Sequence, residues 1–156
     1  MKIVSWNANC KFRSKLSEVD GLGWDILVVQ ECENPHNSKD IEYREWAQNY
    51  FWVGGLEYKG LGLFMPVNLE AKLIGQNAMS NKYFITVQLS NGIQLLAVWT
   101  QAGSQRNTGY IYQLWEYLKT NEDIGYVITD IDKKYDKDVI KELKGIDETI
   151  RFRVLY

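Results

Sequence analysis

Apolar residues in the first thirty positions follow a strand, helix, strand order. Lys2–Trp6 is a β-rich run, and Phe12, Leu16 and Val19 recur at the spacing of one helix face. Asp25–Gln30 is apolar at nearly every interior position, which is typical of a strand that is covered on both faces. The pattern predicts an α/β layer with two neighbouring parallel strands.

Four further β-rich runs follow in the middle of the chain. They are GLGLFMP, EAKLIG, KYFITVQLS and IQLLAVWT, separated by Gly, Asn and Ser turns. The segment Ser90–Gly92 predicts a hairpin between the last two runs. Single aromatic residues on strands usually pack in the core, which is the role we expect for Trp52, Phe64, Phe84 and Trp99.

A helical stripe over Tyr110–Leu118 precedes a short apolar run, Ile124–Asp132, that ends in two carboxylates. Asp130 and Asp132 alternate with Ile131, so on a strand they share one face and could hold a hard cation such as Mg²⁺ together. The alternative is that a strand ends here in ordinary turn residues followed by two lysines. The sequence after this point predicts another amphipathic helix and a terminal strand.

Polar residues also end the first two predicted strands, Asn7 on one and Glu31 on the other. In α/β sheets ligands collect at the carboxyl ends of strands, where these two side chains would lie together and could bind Mg²⁺ through oxygen. Alternatively, Asn7 caps a turn and Glu31 is the first exposed residue after its strand. His36, the sole histidine, follows in a loop, where a solvated side chain is the more common outcome and a phosphate contact the alternative.

Length and composition are those of one folded domain. The chain has 156 residues, of which 46% are hydrophobic and 13% aromatic, and its net charge is −2. This charge gives no global electrostatic reason to bind a nucleic-acid backbone, although a bound cation could supply the charge that meets a phosphate. Cys10 and Cys32 are expected to be buried free thiols. The start does not have the pattern of a signal peptide and no run approaches the ~20 apolar residues of a membrane helix, so we expect a cytoplasmic protein without membrane contact.

The segments SWNAN and DILVVQE resemble the opening motifs of the endonuclease/exonuclease/phosphatase superfamily of metal-dependent phosphodiesterases. The resemblance continues in order through ECENP, SKDIEYREWAQNY, FWVGG, KGLGLF, LLAVWTQ and YIYQLWEYL, covering about residues 1–118. It implies an α/β sandwich fold and a metal and phosphate site at Asn7 and Glu31. A later family strand ends in G-D-F-N, whose Asp and Asn orient the attacking water and contact the phosphate; Asp130 and Asp132 stand at those places. The family's later S-D-H segment has no counterpart, and no histidine follows residue 36.

The last forty residues, ending in TIRFRVLY, are similar to the carboxyl end of the serine-sensing ACT domain of D-3-phosphoglycerate dehydrogenase. There the order is strand, strand, helix, strand. This resemblance implies a homodimer formed through paired edge strands. The part of the ACT domain that carries the H-x-N-x-P-G motif and the serine-binding residues is absent.

Taken together, these features predict a truncated α/β sandwich with a phosphodiesterase-like portion, residues 1–118, and an ACT-like end, residues 119–156, packed as one unit. The first functional hypothesis is hydrolysis of a phosphate ester or nucleic acid with Mg²⁺ or Mn²⁺. Glu31 and Asn7 would hold the metal, Asp130 would orient the water, and Asp132 would be a second ligand. One alternative is a non-catalytic ACT-like regulatory or dimerisation module, and another is an engineered or computed recombinant of two truncated families that has no evolved function.

Overall fold

The computed structural model describes residues 1–77, 82–100, 113, 114, 117 and 126–130. Within them the chain forms two four-stranded sheets and short helices. The strands, in chain order, are β1 Ile3–Asn7, β2 Ile26–Cys32, β3 Tyr50–Leu56, β4 Lys59–Phe64, β5 Ala71–Asn77, β6 Lys82–Leu89, β7 Gln94–Thr100 and β8 Tyr126–Asp130. The helices are a 3-10 turn, Phe12–Lys15, continuing into α1, Leu16–Asp20; a second 3-10 turn, Pro35–Asn37; and α2, Ile41–Trp46.

The first sheet, sheet A, has the strand order β1-β2-β4-β3. Strands β1 and β2 are parallel, with Ile3 beside Ile26 and Asn7 beside Gln30, and β4 is antiparallel to both of its neighbours. The strand, helix, strand prediction for the first thirty residues is therefore confirmed, including the parallel pairing.

The second sheet, sheet B, has the strand order β5-β6-β7-β8. Strands β6 and β7 form the hairpin predicted from the Ser90–Gly92 segment, and Gly92 adopts φ +85°, which a glycine allows at no steric cost. Strand β8 follows β7 at the end of this strand order and is parallel to it. Of the predicted run Ile124–Asp132, the described part, Tyr126–Asp130, is thus a strand of sheet B.

The main core lies between the two sheets. Side chains alternate along β2, so that Ile26 and Val28 pack toward sheet B while Leu27 and Val29 pack on the outer side. Both sides are covered, which explains the nearly continuous apolar run in this strand. The inner cluster also contains these buried residues of sheet B: Tyr83, Ile85, Val87, Leu89, Leu95, Ala97 and Trp99.

An aromatic cluster covers the outer face of sheet A. Phe12 and Tyr43, from the helical segments, pack edge-on with ring centroids 5.9 Å apart, and Phe64 of β4 lies 5.4 Å from Phe12. Phe64, Phe84 and Trp99 are buried as predicted, and Trp52 is partly buried.

The outer face of sheet B is covered by residues of the stripe predicted to be helical. Of that stripe the structure describes three helical positions, and Leu114 packs there against Phe84 and Val98. Tyr117 stacks on Phe84 with a centroid distance of 4.4 Å. Apolar side chains therefore cover both outer faces as well as the interface, and the predicted α/β sandwich is confirmed. Within the described ranges, no helix has the length and apolar character that crossing a bilayer requires.

Candidate functional site

The carboxyl ends of β1 and β2 meet at one edge of sheet A. Asn7 is the last residue of β1 and lies beside Gln30, so that Glu31 follows directly at the same edge. The structure brings Asn7 and Glu31 together as the sequence predicted. Glu31 is not the first residue after the strand, however, because β2 continues through Cys32.

Glu31 occupies a β-bulge. Gln30 pairs with Leu61 and Cys32 pairs with Gly60, so Glu31 is an extra residue without a partner on β4. Its φ is +58°, a left-handed conformation that is unfavourable for a residue with a side chain. Such strain costs about 1–3 kcal/mol and persists where the surroundings fix it.

Three successive carbonyl groups hold the bulge in place. The carbonyl oxygen of Gln30 accepts from the Ala8 N–H at 2.9 Å, and that of Glu31 accepts from the Cys10 N–H at 3.0 Å. The carbonyl oxygen of Cys32 accepts from the Trp52 indole N–H at 3.3 Å. The loop after β1 and a side chain of β3 therefore fix the backbone on both sides of Glu31.

The loop that follows β1 is tightly wound. Asn9 and Cys10 adopt φ +47° and +56°, and the Asn7 side-chain oxygen accepts from the Asn9 N–H at 3.0 Å. Asn7 thus forms the turn that the alternative reading assigned to it, while it also lies at the predicted site.

Cys10 is exposed, so the prediction that it is buried is wrong. The residue lies in the turn after β1, and its thiol faces Glu31 at the surface and not the core. The Cys10 Sγ lies 3.8 Å from Glu31 Oε2. Partial burial, followed by the negative charge of Glu31, raises the pKa of this thiol above its usual value. Cys32 is buried as predicted, and burial strongly raises its pKa.

Lys59 is a site residue that the sequence did not single out. Its Nζ lies 3.4 Å from Glu31 Oε1 and 5.4 Å from the centroid of the Trp99 ring. The side chain of Glu31 is 12% exposed and that of Lys59 is 35% exposed. The feature of the sequence that could have indicated Lys59 is a single cation at the start of the otherwise apolar strand KGLGLF. Its position beside Glu31, however, depends on the pairing of β4 with β2.

The backbone of Asp130 lies at the same end of the sandwich. Asp130 is the register partner of Trp99, and the Trp99 ring is the one that Lys59 covers. Strands β1 and β8 also contact each other across the two sheets. Asp132, the other predicted carboxylate, lies outside the described residues.

The loop after β2 is attached to the hairpin that carries Lys59. His36 is exposed in the second 3-10 turn, where its N–H donates to the Asn34 side chain. The side-chain amides of Asn34 and Asn37 donate to Glu57 Oε2 at 2.9 and 2.8 Å. These two bonds lower the pKa of the fully exposed Glu57 carboxyl.

The donor atoms at Glu31 suit a hard divalent cation. One carboxylate and the side-chain oxygen of Asn7 are the oxygen ligands that Mg²⁺ prefers, and an ammonium group already lies against the carboxylate. Within residues 1–77, 82–100 and the few later positions described, no three His, Cys, Asp or Glu side chains cluster. A complete metal site would therefore need a further ligand, which is the role that the sequence predicted for Asp130 and Asp132.

A surface depression elsewhere is a weaker candidate for a functional site than the surroundings of Glu31. It is lined by Glu70, Lys72, Gln88 and Ser90, among others, beside the β6–β7 turn. It lies at the end of sheet B opposite to Trp99. The strained and charged end at Glu31 remains the stronger candidate.

No protein-family model matches the sequence, and no curated protein matches it. Solved structures do match. The human Nocturnin catalytic domain with bound sulfate anion is 18% identical, with a TM-score of 0.55, over 85% of this chain and 60% of that one. A D. rerio TDP2 humanized by 14 mutations is 19% identical, with a TM-score of 0.56, over 92% and 66%. The endonuclease domain of TRAS1, a telomere-specific non-LTR retrotransposon, is 14% identical, with a TM-score of 0.58, over 91% and 67%.

The chain thus spans less than two thirds of the Nocturnin and TDP2 chains that it matches. The comparisons give no support to the resemblance of residues 119–156 to an ACT domain, and apart from β8 that segment and its predicted dimer contact lie outside the described residues.

Nocturnin, TDP2 and the TRAS1 endonuclease are members of the endonuclease/exonuclease/phosphatase superfamily. At these identities the likeness concerns architecture, and this chain has the α/β sandwich fold of that superfamily.

Proposed function

We propose that this chain hydrolyses a phosphodiester or phosphomonoester with the help of Mg²⁺ or Mn²⁺ bound at Glu31. The observation that carries the proposal is the Glu31 bulge itself. A glutamate in a left-handed conformation, fixed by three anchored carbonyl groups, is placed at the carboxyl end of two parallel strands. Strain of this kind clusters at functional sites, and ligands collect at this end of α/β sheets.

The similar structures support a phosphate ester as the substrate class. The Nocturnin structure contains sulfate, an anion with the shape of phosphate, and a D. rerio TDP2 structure contains a single-strand DNA product. TRAS1 contributes an endonuclease domain. From these we infer a phosphate ester, nucleic acid included, as the substrate of this chain.

Each predicted residue has a role in the proposed reaction. Glu31 would hold the divalent cation, with the Asn7 amide oxygen binding either the cation or a phosphate oxygen. A bound cation polarises the phosphoryl group and neutralises its developing charge. Asp130 would orient the attacking water, and Asp132 would be a second ligand.

We expect the reaction to be slow. General acid–base catalysis contributes about 10²–10⁴-fold in rate. His36 is the sole histidine of the chain, and it lies in the 3-10 turn that is attached to the β3–β4 hairpin. The proposed reaction assigns no role to His36 and relies on the cation and on carboxylates.

The test is Mn²⁺-dependent hydrolysis of a generic phosphodiester by the wild type, Glu31→Ala and Glu70→Ala. Glu70 is a matched control because it is an exposed glutamate beside the depression at the opposite end of sheet B. Activity that is lost in Glu31→Ala and kept in Glu70→Ala supports the proposal. An inactive wild type would overturn it for this substrate class, and equal activity in Glu31→Ala would place the reaction elsewhere.

A further inference from the structure

Lys59 joins the two sheets at the candidate site. It starts β4 of sheet A, and its ammonium group contacts the Glu31 carboxylate at 3.4 Å and covers the Trp99 ring of sheet B. Trp99 is 2% exposed and is stacked on Tyr83 with a centroid distance of 4.8 Å, so the ring is a rigid surface. Lys59 therefore has two fixed partners, one anionic and one aromatic.

The position of Lys59 is fixed by the hairpin that precedes it. The Asn34 N–H donates to the Glu57 carbonyl oxygen at 2.7 Å, and the amides of Asn34 and Asn37 hold the Glu57 carboxylate. These contacts attach the tip of the β3–β4 hairpin to the loop that follows Glu31. These contacts set the separation between the backbones of Lys59 and Glu31, and the ammonium group lies at the end of the Lys59 side chain.

Each oxygen of the Glu31 carboxylate has a neighbour in the structure. Its Oε2 side is occupied by the Cys10 thiol, and its Oε1 side by the Lys59 ammonium. A carboxylate that is 12% exposed is stabilised by a cation in contact with it. A divalent cation that approached Oε1 would meet the positive charge of Lys59 at short range and would be repelled by it.

We propose that Lys59 is a tethered cation that occupies the divalent-metal position at Glu31 and is displaced when the metal binds. The inference rests on the proposed function, because it assigns Glu31 the role of metal ligand. The Trp99 ring then keeps the displaced ammonium group beside the site through a cation–π contact. There its charge is available to a phosphate oxygen of the substrate.

The proposal predicts that metal affinity rises when the competing charge is removed. Mn²⁺ binding is measured by calorimetry at 0.15 M salt, where charges farther apart than about 8 Å are largely screened. Lys59→Met retains the apolar part of the side chain and removes its charge. We expect this variant to bind Mn²⁺ about two- to fivefold more tightly than the wild type, because a partly exposed ion pair changes an equilibrium constant by about this factor. Lys59→Arg keeps the charge and should bind Mn²⁺ no more tightly than the wild type.

Lys15→Met is the matched control. The Lys15 ammonium lies 4.8 Å from the centroid of the Trp6 ring, a contact of the same kind that does not involve Glu31. The variant removes the same charge and should leave Mn²⁺ affinity unchanged. Equal tightening in Lys15→Met and Lys59→Met would overturn the proposal, because the effect would then come from net charge.

A second measurement is the melting temperature without and with saturating Mn²⁺. Lys59→Met should melt lower than the wild type without metal and gain more on adding it, since Glu31 then lacks its internal partner. A merely structural lysine would lower the melting temperature equally in both conditions and leave the Mn²⁺ affinity unchanged or weaker, which would overturn the proposal. So would the absence of Mn²⁺ binding in both the wild type and Lys59→Met.

Hydrolysis of the phosphodiester is measured independently of Mn²⁺ affinity, so that the role of Lys59 and the proposed function can fail separately. An active wild type with unchanged Mn²⁺ affinity in Lys59→Met overturns the role of Lys59 and leaves the proposed function standing. Tighter Mn²⁺ binding in Lys59→Met, without hydrolysis by any form, supports the role of Lys59 and overturns the proposed function.

Discussion

Both sheets contain bulges, and the bulge at Glu31 in sheet A differs from the bulge at Ile74 in sheet B. In sheet A the extra residues are Gly55, in the edge strand β3, and Glu31, in the interior strand β2. In sheet B the extra residue is Ile74, in the edge strand β5, where Leu73 pairs with Val87 and Gly75 with Thr86. Ile74 is 44% exposed, whereas the Glu31 side chain is 12% exposed.

The backbone at the two bulges differs as well. Glu31 has φ +58°, whereas Ile74 does not have a positive φ. A bulge in an edge strand bends that strand and discourages pairing with another chain, at little cost. A bulge in an interior strand that forces a glutamate into a left-handed conformation needs the three hydrogen bonds around Glu31 to persist. Strain, charge and anchoring therefore coincide at the Glu31 bulge and not at the Ile74 bulge, which is why Glu31 is the candidate for a site.

The largest difference should appear in hydrolysis. Glu31→Gln should lower kcat/KM by more than the roughly 10- to 100-fold that loss of an outer-shell partner costs, because it removes a ligand itself. Ile74→Gln should leave kcat/KM unchanged. Mn²⁺-dependent phosphodiester hydrolysis measures both, and equal losses in the two variants would show that the bulges are not functionally different.

The glycines beside the two bulges should respond differently to a methyl group. A Cβ at Gly62 would lie 2.5 Å from Phe64 Cε2 and 2.8 Å from Cys32 Sγ, so Gly62→Ala should lower the free energy of unfolding by about 1–3 kcal/mol. A Cβ at Gly75 would lie 3.2 Å from the Tyr117 hydroxyl and at an ordinary 3.8 Å from Thr86 Cβ and Oγ1, and the reduced freedom of the unfolded chain offsets the crowding against Tyr117. Urea unfolding should therefore show a near-neutral Gly75→Ala, and a destabilised Gly75→Ala would contradict this difference.

Removing the side chain at each bulge should change stability in opposite directions. Glu31→Gly relieves the left-handed strain and loses the ion pair with Lys59, and we expect a net gain of about 0.5–1 kcal/mol in the free energy of unfolding without metal. Ile74→Gly should lower the free energy of unfolding by about 0.5–1 kcal/mol. Ile74 has no positive φ, so the substitution relieves no strain there, and a glycine within a strand is destabilising. Denaturant titration of both variants tests the signs, and a destabilised Glu31→Gly would show that the bulge is not strained.

The smallest effect concerns Glu57, which attaches the hairpin beside the Glu31 bulge. Its pKa is lowered in the folded state by the amides of Asn37 and Asn34, so its stabilising contribution is present above the ordinary carboxyl pKa of about 4.3 and is lost as the pH falls through the folded-state pKa. The wild type should therefore have a higher urea midpoint than Glu57→Gln at pH 7, and the difference should disappear at low pH. Glu70→Gln is the control, and a difference that persists at low pH would contradict the assignment.

Much of the architecture was predictable because it depends on local periodicity. The parallel strands β1 and β2, the helix between them and the hairpin at Ser90–Gly92 all follow from apolar spacing and turn residues. The placement of Asn7 and Glu31 at one edge of sheet A was also predictable, since parallel strands that end in polar residues bring those residues to one edge. Whether Asp130 and Asp132 complete the site stays a prediction.

The remaining features of the site depend on contacts between segments that are distant in the chain. Glu31 becomes a bulge only because β4 pairs with β2 in a broken register, and Cys10 is exposed because the turn after β1 is hydrogen-bonded to the Glu31 carbonyl. Lys59 meets Glu31 through the same strand pairing. Local sequence patterns were enough to predict the layers, the two polar strand ends and the residue types available there. The strain, the anchoring and the ion pair follow from the three-dimensional fold, because each arises from the register between strands and not from any single run of residues.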